Sequence, residues 1–332
     1  MGVTERGHQV KAIVQDRYGP ADVLESREID KPVPGDKQLL IKVKAASLHA
    51  GDYFLTTGLP YVMRLGTGLR RPRKMIPGFD MAGTVEAVGS QVSEFSPGDE
   101  VFGEANGSCA EFVVTAADKL MAKPSNLALD QAAPLAVSGT AALRGIRDAA
   151  GVKSGDKVLI NGASGGVGTY AIQIAKALGA EVTGVCSSDN ADLVRSIGAD
   201  HVIDYTLEDF TEGNERYDVI LDNVGNHRPS KVRRAVAPTG ILIPNSGRSE
   251  KRIFGAMGRM LSAFVASIFI RRQGRPFFAP VKKDDLADLA ALIESGKVAP
   301  VIGNTYDLPE TPTAMAEIGA GHSRGKIVIA IS

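Results

Sequence analysis

The spacing of apolar residues along the chain changes character near residue 130. Before that point short strand-like runs dominate: Leu39 to Leu48, Ala82 to Gly89, Asp99 to Glu104 and Ala110 to Pro124, separated by the turn-forming stretches KPVPGD and FSPGD. They predict an irregular, mostly β lobe. Beyond it, apolar runs alternate with helical patterns: Lys157 to Gly162, Glu181 to Cys186, His201 to Tyr205, Tyr217 to Gly225 and Ile241 to Ser246. Apolar runs that short, joined by helical crossovers, predict an α/β lobe with a parallel sheet covered on both faces. The closing part offers an amphipathic helix in DDLADLAALIESGKVAP, another around Pro312 to Gly319, and a final strand, GKIVI, that returns to the first lobe. The expected division is therefore 1–130 with 272–332 for the first lobe and 131–271 for the second.

Composition supports two lobes and removes several functions. A chain of 332 residues, 44% hydrophobic, exceeds the usual single-domain size. Its 38 Lys and Arg balance 38 Asp and Glu, so no basic surface for nucleic acid is expected. Two cysteines, Cys109 and Cys186, supply no disulfide framework and fit a reducing, cytoplasmic setting. The start MGVTERGHQVKAIVQ has no signal-peptide core. Arg259 interrupts the apolar segment Arg252 to Arg272, leaving Met260 to Ile270, short of the roughly 18 to 20 residues of a spanning helix. A buried or interfacial helix is the preferred reading there, with a membrane-surface anchor as the alternative.

The richest stretch is VLINGASGGVGTYAIQIAKALGA, Val158 to Ala180. A buried strand, a glycine turn and a helix form the first unit of a dinucleotide-binding, Rossmann doubly wound fold. Gly165 and Gly166 let amides approach a diphosphate, Val167 follows them, and Gly168 lets the helix lie close on the strand. The helix N-terminus then faces the anion. Val167, Ala171, Ile174, Ala175 and Leu178 recur at helical spacing and are expected to seal the helix to the sheet. The tip of the second strand reads VCSSDN, where an NAD site usually carries an acid. Ser187 and Ser188 can donate to a 2′-phosphate, and Tyr205 offers a further phenolic donor, so NADPH (NADP) is favoured over NADH.

The segment GDKVLINGASGGVGTYAIQIAK, Gly155 to Lys176, resembles the signature of the quinone oxidoreductase and zeta-crystallin family within the medium-chain dehydrogenase/reductase superfamily. GFDMAGTVEAVG, PGDEVFG, GADHVIDY and the terminal GKIVI resemble it too, so the likeness spans most of the chain. It implies a GroES-like catalytic lobe made from both chain ends, a Rossmann lobe between them, an active site in the cleft, and the homodimer that related proteins often form through the edge strand of the Rossmann sheet. By the same resemblance Thr140 meets the nicotinamide side, Asn223, Val224 and Ser246 follow strands facing the cleft, and Lys326 approaches the cofactor.

The zinc-bearing branch carries a Cys in the segment reading ASLHAGD here and a His-Glu pair at GFD. Neither is present, and a catalytic zinc needs three protein ligands, so no metal is expected. Without a Lewis acid the favoured substrate is one whose conjugation spreads the charge left by hydride addition: a quinone or an α,β-unsaturated carbonyl. The catalytic candidates are His49, where the family usually has Asn, and Tyr53. An imidazole can hydrogen-bond the substrate oxygen and near neutral pH also deliver a proton, or simply satisfy a backbone group or take the amide's structural role. Two further readings stay open: an NADPH-binding sensor or scaffold without turnover, and a zinc-free NADP-dependent alcohol dehydrogenase. The basic stretch RLGTGLRRPRK is either a lid or a solvated loop.

Overall fold

The computed structural model describes residues 9–73, 75–245, 280–321 and 323–332. Strands β1 (Gln9–Val14) and β2 (Glu25–Asp30) form an antiparallel ribbon. The first lobe continues with β3 (Gln38–Leu48), β4 (Asp80–Val88), β5 (Glu100–Glu104), β6 (Phe112–Ala116) and β7 (Leu120–Ala122). The single apolar run read from Ala110 to Pro124 is thus two strands. A 3-10 turn at Ala117–Lys119 redirects the chain, so that β6 pairs with β3 and β7 with β5.

The second lobe contains β8 (Lys157–Asn161), β9 (Glu181–Cys186), β10 (His201–Asp204), β11 (Tyr217–Asp222) and β12 (Val236–Pro244). All pair in parallel in the order β10-β9-β8-β11-β12. Alternate residues of β8 feed opposite faces, Val158 and Ile160 into one core cluster and Leu159 into another. This two-sided burial is why the strand reads as a continuous apolar run. Strands β13 (Ile302–Asp307) and β14 (Lys326–Ala330) return to the first lobe, where β14 pairs antiparallel with β3. The architecture is a Rossmann parallel sheet joined to a GroES-like β lobe built from both ends of the chain.

The helices that position the site are α1 (Ala50–Thr57), α2 (Ala136–Leu143), α3 (Gly166–Ala177), α4 (Ala191–Ser196), α5 (Pro229–Ala235), α6 (Lys283–Glu294) and α7 (Thr311–Ala320). Along α3, Ala171, Ile174 and Ala175 are buried as their spacing requires. Leu178, expected to join them, is exposed, because the helix has ended at Ala177 and Leu178 is its cap. Helix α6 places Leu286, Leu289 and Ile293 in the same cluster as α2, α3 and the first-lobe residues Ala45, Ala82 and Phe102. Gly139 of α2 admits this helix, since a Cβ there would lie 2.5 Å from Leu289 Cδ2. The apolar segment Arg252 to Arg272 lies outside the described residues, and no helix among the described residues is long and apolar enough to cross a membrane.

Candidate active site

Strand order places the candidate site. From β8 the chain turns to β9 on one side and later to β11 on the other, and open α/β sheets bind ligands in the crevice this reversal leaves. Two turns meet there. The first leaves β8 through Gly162, at φ +80°, and enters α3 with Gly165 as N-cap. A Cβ on Gly168 would fall 2.1 Å from Gly162 O, so only glycine lets the first turn of α3 approach the strand exit this closely. Gly165, in contrast, has open space where its side chain would project, with Gly162 O at 3.5 Å the sole neighbour. The leading amides of a helix have no intrahelical carbonyl, which leaves an anion-binding end open beside Gly165, Gly166 and Val167. The residues present fit a dinucleotide diphosphate.

The second turn follows β11. Asp222 Oδ1 accepts from Asn161 Nδ2 (2.8 Å), Gly225 N (2.7 Å) and Val224 N (3.2 Å), locking the exits of β8 and β11 together. Asn223 N donates to Asn161 O, and Val224 Cγ2 stands 2.8 Å from the position of a Cβ on Gly162. Asn223 and Val224 therefore border the glycine turn. Ser246 lies outside the described residues.

Lys326, expected to approach the cofactor, is fully enclosed, 2% exposed. Its Nζ donates to Ser138 Oγ (3.0 Å), Asp80 Oδ2 (3.1 Å) and Leu48 O (3.4 Å). Those three bonds use every proton of the ammonium. Its methylene stem runs beneath the glycine turn, with Cδ 2.9 Å from where a Cβ on Gly166 would sit. Next to it Gly325 N donates to Ser164 O at 2.7 Å. Asp80 is held from its other oxygen by Val137 N at 2.6 Å. A cluster that sequence reading missed thus joins β4, α2 and β14 directly under the nucleotide turn. Burial pushes the Asp80 carboxyl upward, and the Lys326 ammonium opposes that shift.

His49 caps α1. Its Nδ1 accepts from Gly51 N (2.9 Å), and its own backbone N–H donates to Asp52 Oδ2 (2.8 Å). Because Nδ1 accepts, the ring proton belongs on Nε2. That Nε2 is buried without a hydrogen-bond partner among the described residues, and lies 3.6 Å from Asp52 Oδ2. Phe79 stacks on the ring at 5.7 Å. Burial pulls the imidazole down to about 4, with Lys326 adding to the effect and Asp80 opposing it. At neutral pH it is a neutral N–H donor, not the imidazolium expected of a proton-delivering histidine. Asp52, whose other oxygen accepts from Gly78 N at 3.1 Å, is pushed up by burial to about 7.

The remaining expected residues fall elsewhere. The Tyr53 ring packs on α7, 2.4 Å from a Cβ built on Gly319, and belongs to the first lobe's core cluster. The Thr140 hydroxyl turns back to Ala136 O at 2.6 Å, so its proton is spent within α2. Ser187, Ser188 and Tyr205 do gather at the tips of β9 and β10, but the register pairs Cys186 with Asp204. The Ser188 hydroxyl donates to that Asp204 carboxylate, and Asn190 Nδ2 donates to Ser187 Oγ at 3.1 Å. Asp204, overlooked in the sequence, is thus the acid of this tip.

Family models of the alcohol dehydrogenase GroES-like domain and of the zinc-binding dehydrogenase match residues 35–142 and 197–329. The chain is 33% identical to the mitochondrial NAD(P)H oxidoreductase of Mus musculus, with 98% of this chain and 90% of that protein covered. The chain belongs to the quinone oxidoreductase-like family of medium-chain dehydrogenase/reductases. In this family it is also 31% identical to the 2-methylene-furan-3-one reductase of Solanum lycopersicum, covering 97% of this chain and 79% of that protein. A solved quinone oxidoreductase from Coxiella burnetii superposes with a TM-score of 0.85 at 30% identity, covering 98% of this chain and all of that one. The family's members are NAD(P)H-dependent oxidoreductases. The mouse relative is named as mitochondrial, a compartment other than the cytoplasm expected from the sequence.

The zinc in one model's description finds no donor set among the described residues of this quinone oxidoreductase-like chain. Among the described residues no three His, Cys, Asp or Glu side chains gather to hold a metal ion. The nearest donors, His49 Nδ1 and both Asp52 oxygens, already accept backbone N–H groups.

Two outcomes test this geometry. Gly166→Ala should cost about 1–3 kcal/mol in urea unfolding of the natural chain, through overpacking against the Lys326 stem. In an Asp80→Asn, Lys326→Ala background, where the stem and the stranded charge are both gone, the same change should cost less than about 0.5 kcal/mol. An unfolded histidine gains a proton as pH falls through about 6.5, whereas His49 stays neutral to about 4, so its contribution to stability is full above that window and declines within it. His49→Asn keeps a good cap and should lose ~2 kcal/mol less than the natural protein between pH 7 and 4.5, read by denaturant titration at each pH.

Proposed function

We propose that the protein is an NADPH-dependent, zinc-independent reductase that passes hydride to a quinone or an α,β-unsaturated carbonyl. The observation that carries this reading is the pairing of an open glycine turn with a neutral His49 Nε2–H that has no hydrogen-bond partner among the described residues. A single N–H donor gives modest stabilisation to a forming oxyanion. That suffices where conjugation spreads the charge, and falls short of what an isolated ketone demands. The names of the tomato and Coxiella relatives point to the same two acceptor classes.

Each group has a task in this reading. The amides at Gly166 and Val167 hold the diphosphate, Gly165 N being turned to Gly162 O at 3.2 Å so that the turn keeps its shape, and Asn223 and Val224 border the remainder of the nucleotide. When bound, the reduced nicotinamide supplies the hydride. His49 Nε2–H orients the acceptor oxygen, its direction fixed by the Gly51 bond to Nδ1 and by the Phe79 ring. Asp52, pushed up to about 7, keeps a proton through much of the neutral range and stands next to Nε2. Tyr53 and Thr140 supply packing, and Lys326 supports the turn from below.

Nucleotide choice follows from the strand tips. The Ser187 hydroxyl, which accepts from Asn190 and keeps its own proton to give, favours a 2′-phosphate, while Ser188 is turned to the Asp204 carboxylate, which repels one. We therefore assign NADPH as the preferred donor with a narrow margin over NADH.

Mixing the protein with NADPH and a panel of quinones, enones, simple ketones and alcohols decides the reading by absorbance at the nicotinamide band. Oxidation with quinones or enones and none with simple ketones is expected. Tight calorimetric binding with no consumption across the panel would instead make the protein a nucleotide sensor or scaffold, and NADP-dependent oxidation of alcohols would make it an alcohol dehydrogenase. Asp204→Asn should strengthen NADPH binding about fivefold while leaving NADH within about twofold, since it removes one like charge near the 2′-phosphate. Equal change for both nucleotides would detach Asp204 from the choice.

A further inference from the structure

Residues 59–76 make an excursion from the first lobe whose chemistry differs from the rest of the surface. The stretch contains Arg64, Arg70, Arg71, Arg73 and Lys74 and no Asp or Glu, in a chain whose formal charges cancel. It departs from α1 at Gly58, in the left-handed region at φ +63°, and returns at Gly78, whose N–H binds Asp52. Its backbone is held in place. The Tyr18 hydroxyl bonds Gly68 O at 2.8 Å, and Gln15 N donates to Met75 O at 2.7 Å. The Arg64 guanidinium lies over the Tyr18 and Tyr61 rings, 4.4 and 4.8 Å from their centres, and donates to Gly58 O at 3.0 Å.

With the backbone fixed, the side chains that project are apolar and cationic. Among the described residues eight large apolar side chains are exposed, and four of them are here: Leu65 at 70%, Leu69 at 69%, Tyr61 and Met75 each at 45%. Arg70, Arg71 and Arg73 are exposed among them. The carboxylate that Arg71 faces, Asp16, is already engaged by Arg27 at 2.6 Å. Single exposed leucines need no explanation, but leucines interleaved with charge of one sign mark an interaction surface. The leucines protrude instead of lining a groove, so the matching partner is penetrable, anionic and indifferent to fine shape.

We propose that this excursion docks the protein on an anionic lipid bilayer, with Leu65 and Leu69 entering the headgroup region and Arg70, Arg71 and Arg73 meeting lipid phosphates. Apolar burial and attraction to acidic lipids reinforce one another at such a surface. The segment is continuous at one end with α1 and at the other with Gly78–Asp80, so docking brings the mouth of the candidate site to the membrane. If the reading of the reaction given above holds, the acceptor is then a lipid-dissolved quinone or enone taken from the bilayer.

Sedimentation of the full chain with vesicles of phosphatidylcholine, alone or mixed with phosphatidylglycerol, tests the docking without reference to turnover. Binding to the acidic vesicles only is expected, falling as salt rises from 0.1 to 1 M and the screening length shrinks from about 10 to about 3 Å. Replacing Arg70, Arg71 and Arg73 by Ser should weaken partitioning about a hundredfold. A Leu65→Ser, Leu69→Ser variant should also lose binding at unchanged charge. Both variants should keep nucleotide affinity and turnover of a water-soluble quinone. Failure to bind acidic vesicles, or binding indifferent to both variants, overturns the proposal. A raised KM for a soluble anionic acceptor in the arginine variant, with no vesicle binding in the natural chain, overturns it in favour of a substrate-gathering lid. Failure of turnover with vesicle binding intact would strike the reaction assigned above and leave the docking standing.

Discussion

The ion pair between Lys326 and Asp80, 3.1 Å long and almost wholly enclosed, is the contact on which the arrangement of the site depends. A charge taken out of water is costly, and removing one partner of such a pair typically costs about 3–5 kcal/mol because the other is left stranded. The lysine escapes that penalty by spending its remaining protons on Ser138 and Leu48 O, and the carboxylate by accepting Val137 N–H. Four segments distant in sequence are thereby drawn to one point: the end of β3, the start of β4, the first turn of α2 and the start of β14. The loop carrying His49 begins one residue after Leu48. The His49 loop and the glycine turn therefore share a single buried support.

That support also explains the unusual state of the cleft residues. His49 is enclosed near a cation, which discourages protonation, and Asp52 is enclosed with only backbone donors, which discourages ionisation. The result is a polar but largely uncharged pocket wall next to a turn built to receive a strongly charged ligand. Such a wall suits an apolar, conjugated acceptor better than a charged one, and it offers direction through one N–H instead of strength through a metal.

Much of this was legible in the sequence, and the boundary is physical. Gly162, Gly165, Gly166 and Gly168 carry their own explanation, since a strand, a glycine turn and a helix succeed each other within twenty residues. The parallel strands are equally local, because burial on both faces makes each an apolar run. Strand β13 was not visible, as its sequence IGNTYD is mostly exposed, without the alternation that marks a strand and with little apolar content. Lys326 was read as a lysine approaching the cofactor and Asp80 only as a carboxylate in GFDMAG, with no link between them. A lone charge at the start of an apolar strand signals that something pairs with it, but the partner lies 246 positions away and no local pattern names it. Asp204 was missed for a related reason: its place beside Ser188 depends on the register of β9 against β10, which strand periodicity leaves undetermined. His49 stood out in the sequence as a titratable side chain in a short polar loop, yet its tautomer and charge follow from the fold around it.

The bond from Gly325 N to Ser164 O has a mechanical corollary. It rivets the last strand of one lobe to the nucleotide turn of the other, so the two lobes cannot part at that point without breaking the turn itself. Any opening of the cleft must swing about this rivet as about a door pin, widening the far edge while the diphosphate pocket keeps its shape. In the reaction proposed above, such a pin would let the acceptor enter and leave at the far edge while the glycine turn keeps its form.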